Sequence, residues 1–463
     1  MNPEHYQNVI IGSGEGGKYL AWHLAQSGQQ TMVVERRWIG GSCPNVNCLP
    51  AKNEIWSAKV AHLARHAQDF GTVTGPISID MEGVRRRKRE MVAGLVAIHV
   101  NKYKSTGAEL VMGEASFTGP KTFVVKLNEG GERTITAEHI FLNLGTHAAI
   151  PPVPGLQDAA PMTNIEILEL DRLPEYLIVL GGGYVGLEFA QAYRRFGSKV
   201  TILQRSAQLI PDADPDVAEE LQRLLALEGI DILTATDTLQ VKGRSGEEVR
   251  LTVKTSQGEL EIVGSDILVA TGRIPNTTGI GLDLAGVDLT PTGWVQVNDR
   301  LETTAPNVWA IGECAGSPQF THASMDDFRI IRDNLVGGHR STRDRLMPSC
   351  LFTDPQVAHV GLSEVEAKRQ GIAVQVAQLP IASVLRSRTI SETSGFMKAL
   401  LSPEDGRILG FTMIGPEAGE VMTVVQMAMH ANATYAVLRD AVIAHPTMAE
   451  GLNVLFSTVK RPS

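Results

Sequence analysis

The residues in this chain best placed to do chemistry are two cysteines, Cys43 and Cys48, five positions apart in Gly40-Gly41-Ser42-Cys43-Pro44-Asn45-Val46-Asn47-Cys48-Leu49-Pro50-Ala51-Lys52. Two close thiols suit thiol–disulfide exchange, in which the thiolate is the reactive form. The spacing is not that of a zinc finger, and no second pair completes a set of four ligands, so no structural metal is expected. A regular α-helix would separate the two Cα atoms by about 7.5 Å along its axis, beyond the roughly 7 Å that a disulfide spans. If the two sulfurs bond, the segment is therefore not plain helix. Pro44 suits an irregular first turn because it needs no N–H partner, and Asn47 tolerates unusual backbone angles. Spacing alone leaves a second reading open, two unrelated buried thiols acting as small hydrophobes.

The elements that must position the pair argue against that second reading. Val9-Ile10-Ile11 reads as a buried parallel strand, and Gly12-Ser13-Gly14-Glu15-Gly16-Gly17 follows at once. A helical pattern then runs from Lys18 to Ser27, ends at Gly28, and gives way to Thr31-Met32-Val33-Val34-Glu35. The same order recurs in Leu177-Ile178-Val179-Leu180, Gly181-Gly182-Gly183-Tyr184-Val185-Gly186, a pattern from Leu187 to Phe196, Gly197, and Lys199 to Gln204. The third glycine precedes the end of the second strand by 18 positions in both copies. Two strand–helix–strand dinucleotide units are the plain reading. The first glycine permits the tight turn, the second lets backbone approach a pyrophosphate, and the third lets helix pack on strand. The helix N-terminus then faces the phosphate charge with its unpaired N–H groups.

The length of 463 residues predicts about three domains. A net charge of −9 argues against a nucleic-acid partner. The run Arg85-Arg86-Arg87-Lys88-Arg89 is the one local exception, and a solvated helix face is its expected role rather than steering of an anionic ligand. No stretch of 18 apolar residues and no secretory leader is read, so no membrane association and a cytoplasmic location are expected. Breaks fall at Pro151-Pro152-Val153-Pro154-Gly155, near Gly272–Asn276, and between Gly337 and Pro348. They predict an α/β fold with two Rossmann-like dinucleotide-binding domains and a C-terminal α+β domain. Residues 1–150 and 276–345 would form the first domain, 151–275 the second and 346–463 the third. Pattern alone leaves the secondary structure of that last part ambiguous.

Taken together, the chain resembles the pyridine nucleotide–disulfide oxidoreductases. Gly12, Gly14, Gly17 and Glu35 match that family's FAD pyrophosphate and ribose motif, and Gly41 to Lys52 resembles its GGTCxNxGCxPSK. Gly181 to Glu188 matches GGGYxGxE, Val269 to Asn276 matches ATGRxPN, and Asn307 to Glu313 resembles the second FAD motif. Phe352 to Val357 opens the interface domain, and His445-Pro446-Thr447-Met448-Ala449-Glu450 matches HPTxxE. The resemblance implies FAD and NAD(P)H as cofactors and a homodimer. It implies that Cys48 faces the flavin while Cys43 is the exchanging thiol, and that Tyr184 gates the nicotinamide side. Lys52 would lie beside the flavin with Glu188 as ion-pair partner, because burying both charges costs less than burying either alone. His445, oriented by Glu450, would be acid–base for the thiols and would reach them from the partner subunit. Gly41, Ser42, Gly145, Gly312 and Glu313 are further expected FAD-site residues; Gly183, Gly186, Gln204, Arg205 and Gly272, with Gly181, are those for the nicotinamide coenzyme.

Three positions depart from the pattern. Glu313 stands where the family carries Asp, and Asn47 replaces a glycine, which would tighten the redox loop. Gln204 stands where NAD-preferring members carry an acid, and Arg205 is next to it, so NADPH is expected over NADH. The stretches from Gln319 to Arg329 and from Met448 to Phe456 look most like the mercuric-reductase-like flavoproteins of reactive-chlorine resistance. The C-terminal cysteine pair and N-terminal metal-binding extension of mercuric reductases are absent from this sequence. The expected acceptor is accordingly a metal ion, with Cys43 and Cys48 as its ligands, or an oxidant. Dihydrolipoamide or another small disulfide is the alternative, and a low-turnover flavin redox sensor is the alternative of a different class.

Overall fold

A computed structural model describes residues 3–343 and 345–459; Met1, Asn2 and the tail from Lys460 to Ser463 lie outside them. The apolar run at Val9 is the end of a longer strand, Glu4–Ile11, with parallel partners on both sides: Thr31–Glu35 and Glu132–Leu142. Val308–Ala310 pairs parallel with the far edge of Glu132–Leu142. Glu109–Gly119 begins parallel to Thr31–Glu35, then pairs antiparallel with Thr122–Leu127, so one six-stranded sheet passes from parallel to antiparallel pairing. Strands flanked in this way are buried on both faces, which is why they read as continuous apolar runs.

The second glycine motif sits in the same setting. Tyr176–Leu180 lies between Lys199–Leu203 and Asp266–Val269, all parallel, with Asp231–Leu233 outside them. A three-stranded antiparallel sheet, Asp237–Gly243, Val249–Thr255 and Gly258–Gly264, packs against this sheet. The helices of the two units span Glu15–Gln26 and Tyr184–Phe196, each starting three residues before its apolar pattern does. The glycines at those starts lack the side chains that make a helical period visible.

The C-terminal part holds a five-stranded antiparallel sheet in the order Ser349–Leu351, Gln356–Gly361, Ile408–Gly415, Phe396–Leu401, Gln375–Pro380. Its pattern was ambiguous because Phe396–Leu401 and Ile408–Gly415 are buried on both faces and do not alternate. Helix Ala418–His430 covers one face. On the other, Leu351, Val357 and Ile414 share a core with Ala51 of helix Cys48–Arg65 and with Leu187 and Phe189 of the second unit. The cysteine-bearing helix is therefore held where three layers meet. Lys398, 2% exposed, ties the sheet to the second unit through Asp214 (2.8 Å) and Asp216 (2.7 Å), and also pairs with Glu364 of the C-terminal part (2.7 Å).

The basic run is a solvated face only in part: Arg86, Arg87 and Arg89 are exposed, while Lys88 is buried and Arg85 half-buried. In helix Met81–Thr106, Lys88 is 1% exposed and pairs with Glu169 at 2.6 Å, Arg85 pairs with Asp171 at 3.0 Å, and Arg89 also reaches Glu169. The segment leading into the second unit presents these carboxylates to the helix, and a buried ammonium persists only when paired in this way.

Candidate active site

The chain between the cysteines breaks its helix, as a bonded pair requires. Ser42–Asn45 is a single turn, Val46 and Asn47 leave helical geometry, and Cys48 opens helix Cys48–Arg65. Asn164 pins the break, its Nδ2 donating to Val46 O (2.8 Å) and to Asn47 Oδ1 (2.7 Å). The asparagine that replaces a glycine thus does tether the loop. Asn45 ties the first turn to the carbonyls of Ile39 (3.0 Å) and Gly41 (2.7 Å).

Both sulfurs are free thiols and stand together. Cys48 is lowered to about 6, chiefly by the hydrogen bond from Cys43; the Thr321 hydroxyl and the Lys52 ammonium act in the same sense while burial opposes them. Cys43 moves the opposite way, as the partner that keeps its proton, with burial adding to the effect. The other two cysteines are raised by burial, Cys314 to about 11 and Cys350 to about 12. Cys48 is the one thiol of the four that is readily ionised. Its Sγ lies 3.2 Å from Thr321 Oγ1.

Lys52, one turn along the same helix, pairs with Glu188 at 2.6 Å, and its ammonium lies 4.7 Å from the centre of the Phe352 ring. Glu188 is 5% exposed and its other oxygen accepts from Phe352 N at 2.9 Å, so the buried carboxylate is satisfied on both sides. Tyr184 packs edge-on against Phe320, with ring centres 5.8 Å apart.

A continuous cleft of about 2110 Å³ joins these groups to both glycine motifs. Gly12, Gly14, Glu35, Gly41, Ser42, Cys43, Cys48, Lys52, Gly145 and Glu313 line it on the first unit's side. Gly181, Gly183, Tyr184, Glu188, Gln204, Arg205 and Gly272 line it on the second's. Gly17, Gly186 and Gly312 stand behind the wall as packing positions. A Cβ at Gly186 would sit 2.0 Å from Gly181 O, and one at Gly312 would sit 2.8 Å from Ser324 Oγ. His445 bonds Glu450 through Nδ1 at 2.9 Å, but this pair is outside the cleft and the histidine side chain is 60% exposed. One chain therefore brings the expected site residues together in or directly behind the cleft wall, except that acid–base pair.

Several contributors escaped the sequence reading. Asn143 follows strand Glu132–Leu142 and ties its end to two others and to the first helix: its N donates to Ile11 O (2.8 Å), its Nδ2 to Ile311 O (3.0 Å), and its Oδ1 accepts from Gly17 N of helix Glu15–Gln26 (3.2 Å). A lone Asn after the buried run Ile140-Phe141-Leu142 was the signal for it. Thr321 and Asn164 carried no local signal. Glu313, the substituted acid, is held by Thr146 and by Arg273 at 3.3 Å.

The residues present fit dinucleotides. Both unit helices begin on glycines without a capping side chain, so both N-termini open on the cleft. A Cβ on Gly41 would meet Gly14 Cα at 2.5 Å, so the cleft floor there is bare backbone, as close approach of a pyrophosphate demands. Glu35 ends its strand and lines the cleft, so its carboxylate would be the group to meet ribose hydroxyls.

Comparison with known proteins agrees with this architecture. Residues 6–327 match the model of the pyridine nucleotide-disulphide oxidoreductases, and residues 347–455 match that family's dimerisation domain. The chain is 35% identical over 461 residues to the probable pyridine nucleotide-disulfide oxidoreductase RclA of Escherichia coli, covering 98% of this chain and 99% of the relative. It is 33% identical to a mercuric reductase of Shigella flexneri, covering 98% and 80%, and 31% identical to a dihydrolipoamide dehydrogenase of Chaetomium thermophilum, covering 96% and 88%. A solved Cu(II) complex of the HOCl-induced flavoprotein disulfide reductase RclA from Escherichia coli superimposes with a TM-score of 0.90 at 33% identity, covering 99% of this chain and 100% of that one. Among the described residues no helix is long and apolar enough to cross a membrane. The chain belongs to the pyridine nucleotide–disulphide oxidoreductases and is an FAD-dependent, NAD(P)H-linked enzyme that carries the family's dimerisation domain.

Proposed function

We propose that this enzyme passes electrons from NADPH to a thiophilic metal ion of the copper or mercury type, or to an oxidant, at Cys43 and Cys48, as a cytoplasmic homodimer. The observation that carries the reading is the pair of free thiols lining the cleft, of which Cys48 ionises readily. Two such sulfurs are soft ligands for copper(I) or mercury. The kinship with mercuric reductases, and with a protein solved as its Cu(II) complex, supports the same choice.

The residues divide the work. Residues 1–150 and 276–345 hold FAD, 151–275 hold the nicotinamide coenzyme, and 346–463 form the dimer contact. FAD, when bound between Glu35, Gly41 and Glu313, supplies the two-electron relay between coenzyme and sulfur. Lys52, fixed by Glu188, places a positive charge on the relay's side of the cleft. Tyr184 covers the nicotinamide side. Cys48 keeps the thiolate facing the relay, and Cys43, which holds its proton more tightly, is the sulfur that meets the acceptor. Gln204 and exposed Arg205 leave the coenzyme ribose site without a negative charge, which favours a 2′-phosphate. The partner subunit's His445 serves the thiols as acid–base.

The pair His445–Glu450 favours the second reading, dihydrolipoamide or disulfide turnover, because only sulfur chemistry needs proton transfer there. His445→Ala separates the two. Disulfide turnover is expected to fall by roughly 10²–10⁴-fold, the effect of a lost general base, while metal-dependent NADPH oxidation falls far less. Strong wild-type lipoamide activity without metal activity would transfer the function to the second reading.

A further inference from the structure

Helix Cys48–Arg65 carries Cys48 at its start and two histidines at its far end. His62 and His66, its C-terminal cap, lie one turn apart, so their side chains share one face of the helix. Their ring centres are 4.2 Å apart, with the planes tilted by 35°. His66 Nδ1 lies 2.8 Å from His62 O, which can only accept, so Nδ1 carries the proton and Nε2 keeps its lone pair. A backbone bond of this kind is how metal-ligating histidines are commonly fixed. The half-buried His62 ring has no hydrogen-bond partner among the described residues. The charges facing it belong to Arg195, Glu228 and Asp354, and Arg195 pairs with the two carboxylates at 2.8 Å and 2.6 Å. Burial and the Arg195 guanidinium hold the His62 imidazole below its ordinary value, in the neutral form that binds metal.

We propose that His62 and His66 form a chelate site for a divalent transition-metal ion, copper(II) foremost. A metal about 2.0–2.1 Å from a nitrogen of each ring needs those nitrogens no more than about 4 Å apart, which is close to the separation of the ring centres. Imidazole suits copper, nickel and zinc, and a given nitrogen site binds copper(II) most tightly of the three. Two adjacent imidazoles fill neighbouring corners of its tetragonal set, and water fills the others. The position adds to the attraction, because the last carbonyls of a helix carry partial negative charge. His66 is exposed, so an ion reaches the pair directly from solvent. The acidic cluster of Asp214, Asp216 and Glu364 offers no such vacancy, because the Lys398 ammonium fills it. The histidine pair stands about 21 Å along the helix axis from Cys48, so an ion held there is separate from any bound by the thiols.

The test uses the full chain loaded with FAD and carrying Cys43→Ser and Cys48→Ser, so that the thiol pair does not compete for the ion. Copper(II) is titrated into this parent in a non-chelating buffer and followed by calorimetry and by electron paramagnetic resonance. One copper(II) per chain is expected, with superhyperfine splitting from two imidazole nitrogens. His62→Gln and His66→Gln, each added to the parent, should weaken binding by at least about tenfold, since a lost ligand costs no less than a lost outer-shell partner. Copper(II) should also raise the Tm of the parent, because it binds the folded chain, and should raise it less in either variant. His66 is exposed, so His66→Gln keeps the fold, which the metal-free Tm and the flavin absorbance verify. A parent that binds no copper(II), a bound signal without two nitrogen ligands, or undiminished binding in His66→Gln overturns the proposal.

Discussion

The two glycine motifs share a backbone and differ in charge. In the first unit Glu35 Oε2 accepts from Ser13 N at 2.9 Å; in the second Gln204 Oε1 accepts from Gly182 N at 2.9 Å. Both donors are the second residue of their motif. The equal spacing between third glycine and strand end thus serves the protein before any ligand arrives, because the strand-end side chain closes the glycine turn. The charge above that common bond diverges. Glu35 also accepts from Ser13 Oγ (2.7 Å), Arg37 N (2.8 Å) and Trp38 N (3.0 Å), four donors around one carboxylate. Gln204 keeps the acceptor and drops the charge. The shared bond belongs to the fold, and the two units part in the charge above it.

The comparison can be broken at the third glycines, where the largest effect is expected. A Cβ at Gly186 meets backbone, Gly181 O at 2.0 Å, whereas the nearest atom to one at Gly17 is a side-chain oxygen, Asn143 Oδ1 at 2.6 Å, with Gly12 O at 2.8 Å. Gly186→Ala should therefore cost about 3 kcal/mol of stability and Gly17→Ala about 1 kcal/mol, the upper and lower ends for overpacking. Equal losses in chemical denaturation would mean that the second unit relaxes as freely as the first.

Gln204→Glu sharpens the contrast of charge. It should keep the bond to Gly182 N while placing a carboxylate against the coenzyme ribose, moving the NADPH/NADH ratio of kcat/KM toward NADH by about tenfold. An unchanged ratio would assign coenzyme choice to residues other than Gln204.

The smallest effect is expected where the units meet. Glu54, on the cysteine-bearing helix, is fully buried beside Tyr193 and Lys88, and burial raises its carboxyl to about 7. The folded state then binds a proton that the unfolded state has already lost between the ordinary carboxyl value, 4.5, and about 7. Stability should fall as pH rises through that window. Glu54→Gln should flatten the profile, by on the order of a few °C in Tm between pH 5 and pH 8. A wild-type Tm that rises across the window would show that Glu54 is ionised and paired in the folded chain.

How far the sequence could be read follows from how local each feature is. The glycine motifs, the strand pairs around them and the break between Cys43 and Cys48 depend on neighbours a few positions apart, and the residue types there admit few backbone solutions. The C-terminal sheet hid its period because both faces of its central strands are covered, a fact of packing. The Arg85–Arg89 run was read as wholly solvated, and the burial of Lys88 escaped that reading because its partner Glu169 arrives about 80 positions later.

The sequence by itself determined two dinucleotide units, a close thiol pair whose segment is not plain helix if the sulfurs bond, and a neutral Gln204 at the end of the second unit's strand. Tertiary structure alone decided which thiol ionises: Cys43 is the chief cause, and the Thr321 hydroxyl that acts in the same sense reaches Cys48 only once separate elements have packed. It also decided that Asn143 would bind three strand ends together. The physical reason is the same in each case. A backbone turn is set by the angles its own residues permit, whereas hydrogen bonds and charges falling off over a few ångströms are set by whatever the fold brings within reach.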